Sequence, residues 1–133
     1  MSTTIEGRGA ELLQAKNFAN VATLRRDGSV HTVPVWVDVQ DGQPVLNTAE
    51  GRAWPRNLER DPRVTITVQN LENPYEYIMV RGHVSERTHE GADEHIDALA
   101  KKYLDQDSYP FRQPGEQRLI IRVEPDYVHV YGE

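Results

Sequence analysis

The chain has 133 residues, no cysteine, and 15 Lys+Arg against 21 Asp+Glu, a formal net charge of -6. That length fits a single domain spanning 1–133. The missing cysteines exclude disulfides, thiolate metal sites and thiol nucleophiles. The surplus of acid argues against nucleic acid or an anionic membrane as partner, since both are drawn to a net basic face. Apolar residues make up 38% of the chain, a thin supply for a core, so a partner chain is expected to cover some of the apolar surface.

The N-terminal stretch MSTTIEGRGAELLQ is broken by Glu6, Arg8 and Glu11 and lacks the apolar core of a signal peptide. Apolar runs are only a few residues long, far short of a bilayer span. The sequence thus reads as a soluble, cytoplasmic protein. Residues 8–17 suggest a short helix with Ala10, Leu12, Leu13 and Ala15 on an incomplete apolar face. From Phe18 the pattern turns to strand: Phe18–Arg26, Asp27-Gly28, Val30–Val39, Asp41-Gly42, Pro44–Ala49. Asp-Gly between alternating segments favours type I′ hairpins, whose two central residues need positive φ, so a three-strand meander is expected. Pro34 cannot donate to a ladder, which marks an edge, a bulge or an opened ladder.

Residues 52–60 read as a helix that tolerates Pro55 in its first turn and stops at Asp61-Pro62. Val64–Gln69 is the next strand, and Asn73-Pro74 is expected to turn the chain into a long strand, Tyr75–Arg87, with a bulge or bend at Gly82. In Glu90–Leu104, Ile96, Leu99, Ala100, Tyr103 and Leu104 recur at helical spacing. Residues 105–117 form a loop long enough to suggest more than a connection. Leu119–Glu124, a Pro125-Asp126 turn and Tyr127–Tyr131 complete about seven β segments and two or three helices, a small closed antiparallel barrel with helices outside.

Chemistry is sparse. The five histidines, His31, His83, His89, His95 and His129, lack paired-ligand spacing, so no metal is expected. There is no G-x-S-x-G, no G-x-G-x-x-G and no P-loop. The informative stretch is 47–63, where a strand ends and a helix begins. Arg52, Arg56 and Arg60 recur at spacings of four, and from 52 to 63 four arginines stand against only Glu59 and Asp61. A helix N-terminus flanked by arginines suits an anion; a solvated face with locally paired arginines is the alternative. Trp36 and Trp54 suit either the core or a dimer interface, or else the flank of a flat ligand. Tyr77 suits a proton donor if it faces a cleft.

Taken together these residues resemble the pyridoxamine 5′-phosphate oxidase-like split-barrel flavoproteins, in the branch of deazaflavin (coenzyme F420)-dependent oxidoreductases. The resemblance rests on ATLRRDGSVHTVPVW (22–36), NTAEGR (47–52), RNLERDPRVTITV (56–68), Val80-Arg81-Gly82, YPFRQPGEQRLIIRV (109–123) and Val128–Gly132, in that order. It implies a mostly β, six- to seven-stranded antiparallel split barrel of the FMN-binding type with peripheral helices. It also implies a homodimer with cofactor sites at the interface, and a hydride passed from reduced deazaflavin to a small electron-poor substrate. The cofactor ring would lie along Val33, Pro34, Val35 and Trp36, and its phosphate end would be held by Asn47, Thr48, Arg52, Arg56 and Asn57. Many relatives carry lysine where this chain has Trp54, which exchanges a cationic contact for an aromatic plane. FMN in the same fold is the alternative cofactor, and a non-catalytic cofactor- or ligand-binding protein the alternative role.

Overall fold

The computed structural model describes residues 3–132. Ten elements follow one another: α1 (Gly7–Gln14), β1 (Ala19–Leu24), β2 (Val30–Val35), β3 (Val37–Gln40), β4 (Gln43–Ala49), α2 (Ala53–Arg60), β5 (Arg63–Asn70), β6 (Asn73–Thr88), α3 (Ala92–Leu104) and β7 (Arg118–Tyr131). The strands form one antiparallel sheet in the order β2-β1-β5-β6-β7-β4-β3. β2 and β3 lie at its opposite ends yet are joined through Trp36 alone, so the sheet curls until its edges meet. This is the expected split barrel.

The expected second strand, Val30–Val39, is therefore two strands. Its apolar alternation runs on through the break, but β2 pairs with β1 and β3 pairs with β4. The meander is thus two hairpins on opposite margins of the sheet. Asp41 (φ 54°) and Gly42 (φ 75°) make the type I′ turn that the sequence suggests. Asp27-Gly28 does not. Only Gly28 has positive φ (87°); its N–H donates to Arg25 O (2.9 Å), and Arg25 N–H donates to Ser29 O (2.8 Å). This longer turn places only a glycine in the left-handed region.

Two further expectations are corrected. The β5–β6 turn is Leu71-Glu72, with Asn73 and Pro74 already in β6. Pro125-Asp126 is no turn: Pro125 lies in β7 opposite Gly82, beside a shift of register. A Cβ on Gly82 would stand 2.3 Å from Glu124 O, so glycine lets the two backbones close there. Beyond that irregularity β6 and β7 continue as a pair toward β4, which gives the sheet its long bent middle.

Inside the curl, Val21, Leu46, Ile66, Ile78, Leu119 and Ile121 are fully buried, and Leu12 and Leu13 of α1 join the same cluster. Trp54 and Leu58 attach α2 to it. Ile120, on the other face of β7, packs with Val45 and Ala92 under α3. Both faces of Leu119–Ile121 are thus covered, which is why those three residues read as a continuous apolar run. Burying each such aliphatic side chain contributes about 1.5–3 kcal/mol. No helix of the described residues is long and apolar enough to cross a membrane.

Candidate functional site

The C-terminal turn of α3 determines what happens at the strand break. Tyr103 is 3% exposed, and its ring stacks on Trp36 at 5.1 Å with an interplanar angle of 5°. Its hydroxyl accepts from Val37 N–H (3.1 Å) and donates to Asn17 O. Lys102 Nζ donates to Val37 O (2.6 Å) and Leu13 O (2.8 Å). The backbone groups freed where the chain leaves one ladder for another are therefore bound by side chains of α3, as buried peptide groups require. Burial pushes the Tyr103 phenol up to about 12 and the Lys102 amine down to about 8.

Above this stack lies a cavity of about 460 Å³, lined by Phe18, Pro34, Val35, Trp36, Asn47, Arg52, Ile96, Tyr109, Phe111 and Arg118. Its size is that of a small-molecule site. Tyr109 stands edge-on to Trp36 (5.9 Å) and Phe111 edge-on to Tyr109 (5.8 Å), so two aromatics from the 105–117 loop form the outer wall. Arg112 ties that loop to α3 through Asp93 and Asp97, both at 2.8 Å.

The inner end is polar and closed. Asn47 Oδ1 accepts from Arg118 Nε (2.9 Å), while its Nδ2 donates to Ala92 O (2.9 Å) and meets His95 Nδ1 at 3.1 Å. His95 Nδ1 is then the acceptor, which places the ring proton on Nε2, a buried atom with no hydrogen-bond partner among the described residues. Burial holds this imidazole below its ordinary value. The Arg118 guanidinium lies 5.0 Å from the centre of the Tyr109 ring and pairs with Glu116. Glu116 Oε2 also accepts Gln113 N–H (2.9 Å), and Oε1 stands 3.9 Å from Arg52. Burial pushes the Glu116 carboxyl up, but these bonds and the two arginines outweigh it and hold the group below its ordinary value.

The outer end is basic and open. Arg52 is the N-cap residue of α2, its side chain is half exposed, and among the described residues no side chain caps that helix end. One turn further, Arg56 and Arg60 join Arg25 and Arg26 of the β1–β2 turn around a second depression of about 630 Å³. The acid beside them, Glu59, is engaged by Arg87 at 2.9 Å. Arg87 also bonds Glu50 (2.7 Å) and Pro55 O (3.2 Å), pinning the β4–α2 turn.

The structure thus brings Pro34, Val35, Trp36, Asn47 and Arg52 to one cavity. Val33 belongs to β2 but packs against the core, and Arg56 borders the second depression. Asn57 borders that depression too, and its amide donates to Thr23 Oγ1 at 3.1 Å. Thr48 is fully buried, and its Oγ1 has no hydrogen-bond partner among the described residues. Trp54 is 3% exposed and belongs to the core cluster, so it presents no aromatic plane to a ligand. Tyr77 lies on the outer sheet face with Tyr131 (5.6 Å) and His129 (6.4 Å), away from the cavity lining. Arg118, Glu116, Tyr109 and Phe111 are additions of the structure. In the sequence they stand in the long loop and the strand after it, within the 109–123 segment of the family resemblance, without a signal that marks them as site residues.

The sequence model of the pyridoxamine 5′-phosphate oxidase family matches residues 5–132. No curated protein sequence matches the chain. Among solved structures, one described as an F420 reductase superposes with a TM-score of 0.81 at 24% identity, covering 94% of this chain and 98% of that one. A conserved hypothetical protein from Mycobacterium tuberculosis gives 0.75 at 20% identity, covering 98% and 86%. A putative pyridoxamine 5′-phosphate oxidase from Listeria innocua gives 0.68 at 14% identity, covering 90% and 92%. At these identities the structures establish a shared fold.

Proposed function

The chain belongs to the pyridoxamine 5′-phosphate oxidase family, and on that premise we propose that it is an F420-dependent oxidoreductase acting on a small electron-poor organic substrate. The observation that carries the reading is the pairing of two sites along α2. An aromatic cavity at the Pro34–Trp36 strand end opens beside Arg52, and a depression with four arginines follows one helical turn on. A flat ring with a long polyanionic tail matches that sequence of surfaces; a single phosphate would leave the second depression without a role.

The residues present suit the coenzyme. Pro34 sits on an edge strand, and the cavity walls there are flat and apolar. Arg52 and the uncapped N–H groups at the start of α2 suit the phosphate, and Arg25, Arg26, Arg56 and Arg60 suit the acidic tail. When bound, the reduced coenzyme supplies a hydride, and the protein contributes orientation and exclusion of water. Tyr109 and Phe111 shield the cavity, and Tyr103 supports Trp36 from beneath. Tyr109 is the tyrosine on the cavity wall; the Tyr103 hydroxyl is committed to backbone partners and is a weaker acid than ordinary tyrosine.

A second copy of the chain completes the arrangement in this reading. Tyr75, Tyr127 and Tyr131 are exposed on the sheet, and Phe18 and Phe111 remain 40% and 59% exposed at the cavity rim. A homodimer across this sheet would cover both sets. Light scattering of the purified protein tests it, and a monomer at micromolar concentration would count against it.

The decisive experiment titrates F420 and FMN side by side into the ligand-free protein, read by fluorescence and melting temperature. Micromolar binding of F420 with weaker FMN binding is expected. Tighter FMN binding would move the protein to flavin chemistry in the same fold, and binding of neither would remove both enzymatic readings.

A further inference from the structure

The inner end of the aromatic cavity carries an arginine whose charge is already answered. Arg118 is 4% exposed, lines the cavity, and pairs with Glu116, whose side chain is itself 7% exposed. Glu116 is held in place from two more sides: Gln113 N–H donates to one oxygen at 2.9 Å, and Arg52 stands 3.9 Å from the other. A buried guanidinium without such a partner would attract any carboxylate, sulfonate or phosphate that entered. With Glu116 present, the Arg118 charge is matched within the protein, and a ligand anion that reached Arg118 would have to compete with a buried carboxylate already bound to it. Like charges held that close are costly in a partly dry site.

We propose that Glu116 is a specificity-determining residue that keeps anionic groups out of the inner end of this cavity. The compounds admitted beside Arg118 and Tyr109 are then uncharged and flat, and anionic groups are confined to the Arg52 side. This deepens the oxidoreductase reading, on which its assignment to a substrate rests, by naming the substrate class as uncharged. The selectivity itself belongs to the apo protein and needs no coenzyme.

The test compares two fluorescent probes of similar shape on the full chain: anilinonaphthalene sulfonate, which is anionic, and N-phenyl-1-naphthylamine, which is not. The readout is the ratio of their affinities, which cancels any general loosening of apolar surface. Glu116→Gln keeps the size and an acceptor oxygen but removes the charge; the ratio should shift toward the anionic probe by about tenfold or more. Glu116→Asp keeps the charge and should stay within about threefold of the parent ratio. Should Glu116→Gln alone not fold, the pair Glu116→Gln with Arg118→Met carries the test. It removes both charges together, leaves Arg52 as before, and should also hold the ratio within about threefold. An unchanged ratio in Glu116→Gln, or an equal gain in Glu116→Asp or in the pair, overturns the proposal. Failure of F420 to bind while the ratio shifts as expected would remove the coenzyme and keep the selectivity; the reverse pattern would keep the coenzyme and remove Glu116 from this role.

Discussion

The two ends of the site treat charge in opposite ways. At the inner end Arg118, Asn47 and His95 are buried and bonded to one another through Nε, Oδ1, Nδ2 and Nδ1 contacts of 2.9–3.1 Å, and Arg118 pairs with Glu116. Along the outer face of α2, Arg56 and Arg60 are exposed with Arg25 and Arg26, Arg60 donating also to Leu24 O and Arg25 to Val30 O, and the nearby acid is turned to Arg87. A buried charge must be matched at once or the fold pays for its desolvation. An exposed charge contributes little to stability and stays available to a ligand. Position along one cavity and one helix thus separates residues that hold the site from residues that recruit to it.

The separation is broken most severely at the inner end. Arg118→Leu would leave Asn47 Oδ1 buried without its donor and take the nearest cation from Glu116, which keeps Gln113 N–H and Arg52, so unfolding free energy should drop by about 3 kcal/mol in urea titrations. A loss below about 1 kcal/mol would show that water reaches these groups freely. Tyr103→Phe comes next. It keeps the stack on Trp36 but strips Val37 N–H of its acceptor and Asn17 O of its donor. A loss of about 1–3 kcal/mol is expected by the same measurement.

The same contrast explains what could be read before the fold was known. Asp41-Gly42 was legible because a two-residue hairpin turn demands positive φ at both positions, a local requirement. Asp27-Gly28 carries the same letters, but its turn extends to Arg25 and Ser29, and only the glycine needs the left-handed region. The break at Trp36 left no mark, because the apolar alternation continues through it. What divides the strand is Tyr103, whose hydroxyl takes the Val37 N–H from 66 residues away. Likewise Arg52 could be anticipated from a helix start and a run of arginines, whereas Pro34 to Trp36 and Asn47 were implied as site residues by the family resemblance. Arg118 and Glu116 could not be anticipated, because a buried ion pair following a loop leaves no spacing to recognise. Trp54 was ambiguous for a related reason: only the helix's orientation tells core from ligand face, and the structure turns it inward.

At the outer end, Arg56→Ala should change stability by no more than about 0.5 kcal/mol, since the residue is exposed on α2. Its effect belongs in binding. Affinity for F420 should fall by about tenfold at low salt, and the loss should shrink as salt screens the remaining arginines. A melting temperature that falls without ligand would place Arg56 among the structural residues.

The smallest expected effect is a pH dependence confined to the inner end. Burial holds His95 below its ordinary value of 6.5 in the folded protein. As pH falls below 6.5, the unfolded chain takes up this proton before the folded one does. The unfolded state then binds more protons, so stability drops as pH falls through that window and is complete above it. His95→Gln keeps a polar group opposite Asn47 and removes the titration. The difference in melting temperature between parent and variant should therefore narrow on acidification from pH 7 toward pH 5. A constant difference across that range would mean that the imidazole is as well solvated folded as unfolded, and that the inner end is open to water like the face of α2.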